Sequence, residues 1–229
     1  MRIEPTPGGV DVEPLDEATA PVVWMLLGGP FDLGSFYAFA AVDPVLGPIA
    51  ERLRGLRPPL APEPFETLVT SITAQQVSLY SAFAIRNRLI DAFGEPGVHA
   101  IAFPTRERIA AAEPGELFAL GFSRRKAEYV VGLARSAIDL DELARLDDDQ
   151  VTQRLTALHG IGEWTADWFL ARHLARPRAW PAGDLALQKA VRAFYGDVDV
   201  RELGARLDPF QNLSAHYLLT GWLTAGGAP

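Results

Sequence analysis

Residues 155–166 read Leu-Thr-Ala-Leu-His-Gly-Ile-Gly-Glu-Trp-Thr-Ala and contain the most informative turn of the chain. Apolar residues at helical spacing flank it, and only His159-Gly160-Ile161-Gly162 separates the two predicted helices. Two glycines so close together permit a tight turn and let backbone N–H groups of the second helix approach a phosphate. An ordinary glycine-capped turn between helices has the same pattern. The stretch alone therefore predicts two helices and leaves both uses of the turn open.

The composition is that of a folded globular protein: 229 residues, 48% apolar and 22% charged. The absence of cysteine excludes disulfides, zinc ribbons, iron–sulfur clusters and cysteine nucleophiles. The longest apolar run, residues 22–27, is far too short to cross a membrane, and the acidic start is unlike a signal peptide. We therefore expect a cytoplasmic protein with no membrane partner.

The net charge of −8 argues against a polyanionic partner, but the charge is unevenly distributed. Residues 1–50 contain seven acidic residues and one arginine, so residues 51–229 sum to only −2 and contain 20 cations. The distribution therefore leaves room for a local basic patch.

Helical periodicity dominates from residue 44 onward and predicts an all-α body. Glycine pairs and clustered aromatic residues predict a short irregular or extended segment over residues 1–42, packed on a body formed by residues 43–229. The predicted helices lie at about 44–54, 65–74, 77–93, 105–112, 114–120, 124–138, 148–158, 163–175, 184–195, 201–207 and 212–224.

Four ordered segments resemble a known family. Leu158–Ala166 resembles the signature L-x-G-I/V-G-x-x-T-A, and Asp184 follows Trp164 by twenty residues. Phe65–Ser78 and Leu120–Ala127 resemble two further family segments. Together they cover about residues 43–196 and resemble the helix-hairpin-helix DNA glycosylase superfamily, in its AlkA-type 3-methyladenine DNA glycosylase II branch. The resemblance implies two helical lobes, 64–180 and 43–63 plus 181–229, with duplex DNA held between them.

Asp184 precedes an apolar-periodic segment and reads as a helix N-cap. The resemblance also makes it the catalytic carboxylate. The two roles are compatible, because a helix N-terminus favours an ionised carboxylate, and an anion stabilises the oxocarbenium character that develops at the sugar.

Trp164 occupies the position at which bifunctional members of the superfamily have a nucleophilic lysine. Tryptophan cannot attack the sugar, so a monofunctional enzyme that leaves an abasic site is expected. Trp164 and Trp168 share a helix face, where they either stack on an extruded alkylated base or serve as core aromatics.

By resemblance, DNA contacts fall on three segments. Gln75 and Gln76 interrupt an apolar pattern and correspond to a loop that enters the duplex, with a solvated helix junction as the alternative. Cations follow Ser123 in the first turn of a helix, where a phosphate would offset their unfavourable interaction with the helix dipole. The expected DNA-binding residues are Gln75, Gln76, Ser123, Arg124, Lys126, Gly160, Gly162 and Thr165.

No catalytic cofactor is expected. The four histidines have no metal or triad spacing, and the turn lacks the third glycine of a dinucleotide fingerprint. A cap with first-turn acids explains Asp147–Asp149 better than a divalent metal does. By resemblance alone, the main-chain carbonyls of Thr156, Leu158 and Ile161 would hold a structural Na⁺ or K⁺ at the hairpin.

Two positions depart from the family pattern. His159 stands where proline is usual, and no tryptophan lies near Leu213, where the AlkA branch commonly presents one to the pocket. The resemblance implies a base excision repair enzyme that acts as a monomer on damaged double-stranded DNA and releases alkylated bases of the 3-methyladenine type. The alternative is a non-catalytic helix-hairpin-helix protein that binds DNA or its lesions.

Overall fold

The computed structural model describes residues 1–98 and 100–227, and it is mainly helical. The prediction of an all-α fold is confirmed. The helices are α1 Thr19–Leu26, α2 Leu33–Ala40, α3 Leu46–Arg52, α4 Pro64–Ala74, α5 Leu79–Phe93, α6 Arg106–Ala111, α7 Pro114–Ala119, α8 Arg124–Arg135, α9 Asp148–Thr156, α10 Glu163–Arg172, α11 Leu185–Tyr195, α12 Val200–Arg206 and α13 Gln211–Thr224.

Two antiparallel hairpins and one 3₁₀ helix complete the secondary structure. Strands β1 (Arg2–Thr6) and β2 (Gly9–Glu13) pair at the N-terminus, and β3 (Glu95–Pro96) pairs with β4 (Ile101–Ala102). The 3₁₀ helix spans Glu142–Arg145. No helix in the described ranges has both the length and the apolar character needed to cross a bilayer.

The N-terminal segment contains two helices, α1 and α2, that the sequence pattern did not predict. Asp32 caps α2 by accepting the Ser35 backbone N–H at 3.1 Å. Phe36 of α2 is fully buried, with its ring centroid 4.7 Å from that of Tyr217. The aromatic residues that obscured the helical pattern therefore attach this segment to α13.

Helix α8 ends at Arg135, before the predicted apolar stripe reaches Ile138. The Ser136 hydroxyl donates to the Leu133 carbonyl at 2.7 Å. The Arg106 guanidinium then binds the carbonyls of Ala134 and Ile138. These side-chain bonds satisfy carbonyls at the helix end, so Ile138 packs from a loop.

Two sets of packed helices meet at one cavity. Helix α4 packs against α5, α8 and α10, while α13 packs against α3 and α11. Leu68 and Ile72 of α4, Phe169 of α10 and Tyr217 of α13 are completely buried in one continuous core. This packing fixes the relative positions of the N-terminus of α11 and the exposed face of α10.

Candidate active site

Asp184 is the N-cap of α11, as predicted, and its two carboxylate oxygens have different partners. Oδ1 accepts the Leu187 backbone N–H at 2.9 Å. Oδ2 accepts the indole N–H of Trp164 at 2.8 Å and that of Trp168 at 3.0 Å. Three N–H donors thus hold an anionic group in a single orientation.

The Asp184 carboxylate faces a cavity of about 450 Å³ between the two sets of helices. Its walls come from α4, α5, α10, α11 and α13, and most of the lining is apolar or aromatic. The lining residues are Thr70, Ser71, Ala74, Leu79, Ala82, Phe83, Arg86, Trp164, Trp168, Arg172, Asp184, Ala186, His216, Leu219, Thr220 and Leu223.

The two tryptophans differ in accessibility. Trp164 is half-buried and exposes part of its ring at the cavity wall. Trp168 is 4% exposed, and the Arg172 guanidinium lies 3.8 Å from the centroid of its ring. Trp168 therefore fits the core-aromatic alternative more closely than Trp164 does, although its ring also borders the cavity.

Arg172 and His216 are polar lining residues that the sequence reasoning did not identify. Arg172 lies four residues after Trp168 on α10, a spacing that places the two side chains next to each other. His216 packs its ring against Trp168 at 5.7 Å, and its buried Nε2 has no hydrogen-bond partner among residues 1–98 and 100–227. Burial, together with the Arg172 charge, lowers the pKa of His216 to about 3, so the ring is neutral at physiological pH.

The predicted turn between α9 and α10 is present, and its two glycines have different roles. Gly160 has a φ of +89°, and a Cβ there would overlap the ring of Tyr129. Gly162 opens α10 with a φ of −106°, and a Cβ there would have nothing within 4 Å. The absence of a side chain at Gly160 therefore lets the Tyr129 ring pack against the turn. At exposed Gly162 the adjacent space is open to a ligand.

The side chains of Gln75 and Thr165, both predicted to contact DNA, bond within the protein. The Gln75 amide donates to the Gly160 carbonyl at 3.0 Å and to the Thr165 hydroxyl oxygen at 3.2 Å. Thr165 is 1% exposed. Both side chains thus join the end of α4 to the hairpin turn, and the next residue, Gln76, is exposed with a φ of +54°.

Lys126, which was also predicted to contact DNA through its charge, has a buried side chain. It is 9% exposed, and its ammonium group donates to the Thr73 carbonyl at 2.8 Å. Burial lowers the pKa of Lys126. Ser123 caps α8, and Arg124 is exposed with its guanidinium 5.4 Å from the centroid of the Phe118 ring. Of these three residues, Ser123 and Arg124 remain accessible to a phosphate.

Exposed apolar side chains just before α5 and on its first turns form a rim beside the cavity. Tyr80 is 86% exposed, Phe83 59%, Leu79 55% and Val77 40%. Leu79 and Phe83 also line the cavity. Periodicity reports which residues share a face but not whether a partner covers it, so nothing in the pattern distinguished this rim from core.

The three carbonyls expected to hold a monovalent cation have unequal hydrogen bonding. The Leu158 carbonyl accepts the Ile161 N–H at 3.1 Å. Those of Thr156 and Ile161 receive no donor from the described residues. Free carbonyl oxygens fit a hard monovalent cation. Among residues 1–98 and 100–227, no group of three His, Asp or Glu residues is arranged to hold a metal ion. Asp147 forms a capping box with Gln150 at the start of α9.

Comparison with known proteins identifies the family of the chain. A family model described as "HhH-GPD superfamily base excision DNA repair protein" matches residues 69–206. The chain belongs to this superfamily.

Among its relatives, the chain is 32% identical over 169 residues to a DNA-3-methyladenine glycosylase of Bacillus subtilis, with 70% of this chain and 56% of the relative aligned. It is 32% identical over 198 residues to DNA-3-methyladenine glycosylase 2 of Escherichia coli, covering 82% of this chain and 67% of that protein. The chain thus spans little more than half the length of the first of these relatives.

Solved structures show the same fold. The 3-methyladenine DNA glycosylase of Archaeoglobus fulgidus aligns with a TM-score of 0.85 and 26% identity, over 99% of this chain and 83% of that one. The Schizosaccharomyces pombe 3-methyladenine DNA glycosylase Mag1, solved in complex with abasic DNA, aligns with a TM-score of 0.70 and 25% identity, over 83% and 97% of the two chains.

Proposed function

We propose that this protein is a monofunctional DNA glycosylase that hydrolyses the N-glycosidic bond of alkylated bases, of the 3-methyladenine type, in duplex DNA. The observation that carries the proposal is the Asp184 carboxylate, held by two indole N–H groups at the wall of a cavity of about 450 Å³. The names of the relatives point to the same substrate class.

Asp184 would act through its charge. Departure of the base leaves positive charge on the sugar, and a fixed carboxylate beside that carbon stabilises it most at the transition state. The indole and backbone donors keep the carboxylate oriented before substrate binds, so little reorganisation is needed during the reaction. Water completes the hydrolysis and leaves an abasic site.

Trp164 supports the monofunctional assignment. An amine nucleophile would be needed to form a Schiff base with the sugar, and none of the described cavity-lining residues is a lysine. The exposed part of the Trp164 ring and the Phe83 ring supply apolar surface for an extruded base.

The proposed DNA interface uses the accessible members of the predicted set. Gln76 would fill the space left by the extruded base, and Ser123 and Arg124 would bind phosphate. The Gly160–Gly162 turn would offer backbone N–H groups, with a Na⁺ or K⁺ held by the carbonyls of Thr156, Leu158 and Ile161 neutralising phosphate charge.

The proposal includes the two helical lobes that the sequence predicts. Lobes at 64–180 and at 43–63 plus 181–229 would hold the duplex at their cleft, because the cavity lies between the corresponding sets of helices. We expect a monomer that needs no nucleotide cofactor and works in the cytoplasm, where it reaches the DNA.

The test is base release from methylated duplex DNA by the wild type and by Asp184→Asn. Asparagine caps helices about as well as aspartate, so the variant retains the cap of α11 while losing the charge. Asp199→Asn is the matched control, because Asp199 caps α12 and does not line the cavity.

We expect release by the wild type and Asp199→Asn, none by Asp184→Asn, and strand breaks only after alkali. Breaks without alkali would contradict the monofunctional assignment. Retained DNA binding with no base release by any of the three proteins would instead favour the non-catalytic binding protein.

A further inference from the structure

Tyr80 is the most exposed residue of the apolar rim beside the cavity, and neither the fold nor the proposed chemistry uses its side chain. It is 86% exposed. Its ring and hydroxyl take part in no hydrogen bond, ion pair or ring contact among residues 1–98 and 100–227. Three other exposed apolar residues, Val77, Leu79 and Phe83, lie within three positions of it along the chain. Single apolar residues are common on protein surfaces, but a cluster of them marks an interaction site.

Tyr80 does not line the cavity, whereas its neighbours on α5 do. Leu79, Phe83 and Arg86 are lining residues. At about 100° per residue they fall within about 60° of one another around the helix axis, and Tyr80 lies about 60° beyond Phe83. Leu89, which is completely buried, is on the opposite side of α5 from Tyr80. The Tyr80 ring therefore projects from the core and stands outside the cavity, next to its mouth.

The segment around Tyr80 is attached at two points to the α7–α8 turn and the first turn of α8, the region proposed to bind phosphate. Before Tyr80, the Thr73 carbonyl accepts the Lys126 ammonium group at 2.8 Å. After it, the Arg88 guanidinium donates to the Leu120 carbonyl at 2.6 Å. The rim is therefore held between the cavity mouth and the proposed phosphate contacts.

The charge of this segment also suits a polyanion. Residues 67–90 contain no aspartate or glutamate, and no other stretch of the chain is as long without either. The cations within it are Arg86 and Arg88. In a chain with a net charge of −8, such a segment lets a phosphate backbone approach without like-charge repulsion. An exposed aromatic ring on an acid-free surface fits a nucleobase, because every base has a face on which such a ring can stack.

We infer that the Tyr80 ring stacks on a base face that becomes exposed in the duplex when the target nucleotide is extruded. This inference rests on the proposed function and adds a second contact at the gap. Extrusion leaves the neighbouring bases without a stacking partner on one side. The Gln76 amide would fill space there, whereas an aromatic ring replaces the lost stacking. Because Gln76 and Tyr80 are four positions apart at the α4–α5 junction, one segment would supply both contacts.

The test compares binding to two duplexes that differ at one position, an intact duplex and one with a tetrahydrofuran abasic analogue in place of a nucleotide. Fluorescence anisotropy gives the affinities of the wild type, Tyr80→Ala and Tyr80→Phe for each. Val42→Ala is the control, because Val42 is 83% exposed and the connection between α2 and α3 contributes no residue to the cavity.

We expect Tyr80→Ala to weaken binding to the abasic duplex at least about fivefold, with a smaller loss for the intact duplex. Tyr80→Phe and Val42→Ala should bind within about twofold of the wild type, because the stacking ring is retained in both. A 2-aminopurine placed beside or opposite the abasic analogue should fluoresce more weakly in the wild-type complex than in the Tyr80→Ala complex, because stacking on the ring quenches it.

Unchanged affinity of Tyr80→Ala for the abasic duplex would overturn the inference. Equal losses for both duplexes, or an equal loss in Tyr80→Phe, would also overturn it, because the contact would then be to the backbone or through the hydroxyl. The proposed function fails separately, if the wild type releases no alkylated base or if Asp184→Asn retains release. The binding measurement needs no catalysis, so the two failures are distinguishable.

Discussion

The indole N–H of Trp164 lies 2.8 Å from Oδ2 of Asp184, the carboxylate oxygen that is not used to cap α11. Trp168 donates to the same oxygen at 3.0 Å. One oxygen thus maintains the helix while the other is held at the cavity, so the cap and the site share a single residue.

Removing either indole donor should slow base release while leaving the fold in place. Trp164→Phe loses a hydrogen bond to a charged group, of about 1.5–3 kcal/mol, which corresponds to a roughly 10- to 150-fold slower single-turnover rate. Trp180→Phe is the control, because Trp180 donates to the Val200 carbonyl away from the cavity. Equal rates for Trp164→Phe and the wild type would contradict a role for the indole donor.

The two hairpin glycines should respond differently to substitution by alanine. Gly160→Ala forces a Cβ into the Tyr129 ring at positive φ and should lower the free energy of unfolding by about 1–3 kcal/mol. Gly162→Ala has open space and should change stability by less than about 1 kcal/mol. Urea denaturation measures both variants.

Weaker DNA binding by folded Gly162→Ala would support close approach of a phosphate to the turn. Unchanged affinity in a fluorescence-anisotropy titration would place the backbone contact elsewhere.

Arg124 and Lys126 should differ in their effect on DNA binding, although both are cations in the first turn of α8. Exposed Arg124 is free to neutralise a phosphate, so Arg124→Ala should reduce the slope of log affinity against log salt by about 1. Lys126→Met should lower stability because it removes the donor to the Thr73 carbonyl, and it should leave that slope unchanged. A reduced slope for Lys126→Met would show that its charge reaches the DNA.

Asp167 should make the protein less stable as the pH rises through the acidic range. Burial first, and the Glu163 charge second, raise the pKa of Asp167 from 3.8 to about 6, with Arg201 opposing. Between about pH 4 and 6 the unfolded chain releases this proton while the folded chain keeps it, so folding stability falls across that window.

Asp167→Asn removes the titrating group and with it the fall in folding stability between about pH 4 and 6. At pH 7 the variant should therefore be more stable than the wild type by about 2 kcal/mol, with a smaller difference at pH 4.5. Urea denaturation at several pH values tests this. A stability difference that does not change with pH would exclude the titration of Asp167 as its cause.

Helix positions were predictable from the sequence because apolar spacing and caps are local properties. The N-cap assignments at Ser123 and Asp184 needed only a polar residue before an apolar-periodic segment, and both are found. Helix α1 was not predictable, since Val23 is its one buried residue and provides no apolar stripe. Helix α2 has the N-cap Asp32 and a buried stripe of Leu33, Phe36 and Ala40, a local signal that the sequence reasoning missed among the clustered aromatic residues.

The site residues were predictable where a motif fixed them and not where tertiary packing decided their exposure. Asp184 and Trp164 lie together as expected. Lys126, Thr165 and Gln75 are in the expected segments, but each side chain bonds to a neighbouring element that the sequence does not reveal. Helical spacing also placed Trp168 on the correct face without showing that Arg172 covers it.

The Gln75 amide touches both the carbonyl of Gly160 and the hydroxyl of Thr165, while Gln76 projects from the adjoining peptide. One side chain therefore couples the α4–α5 junction to the α9–α10 turn, although 85 residues separate Gln75 from Gly160 along the chain. In the proposed DNA complex, a strand bound at the turn would therefore be linked through Gln75 to Gln76, so backbone binding and insertion into the base stack would be coupled.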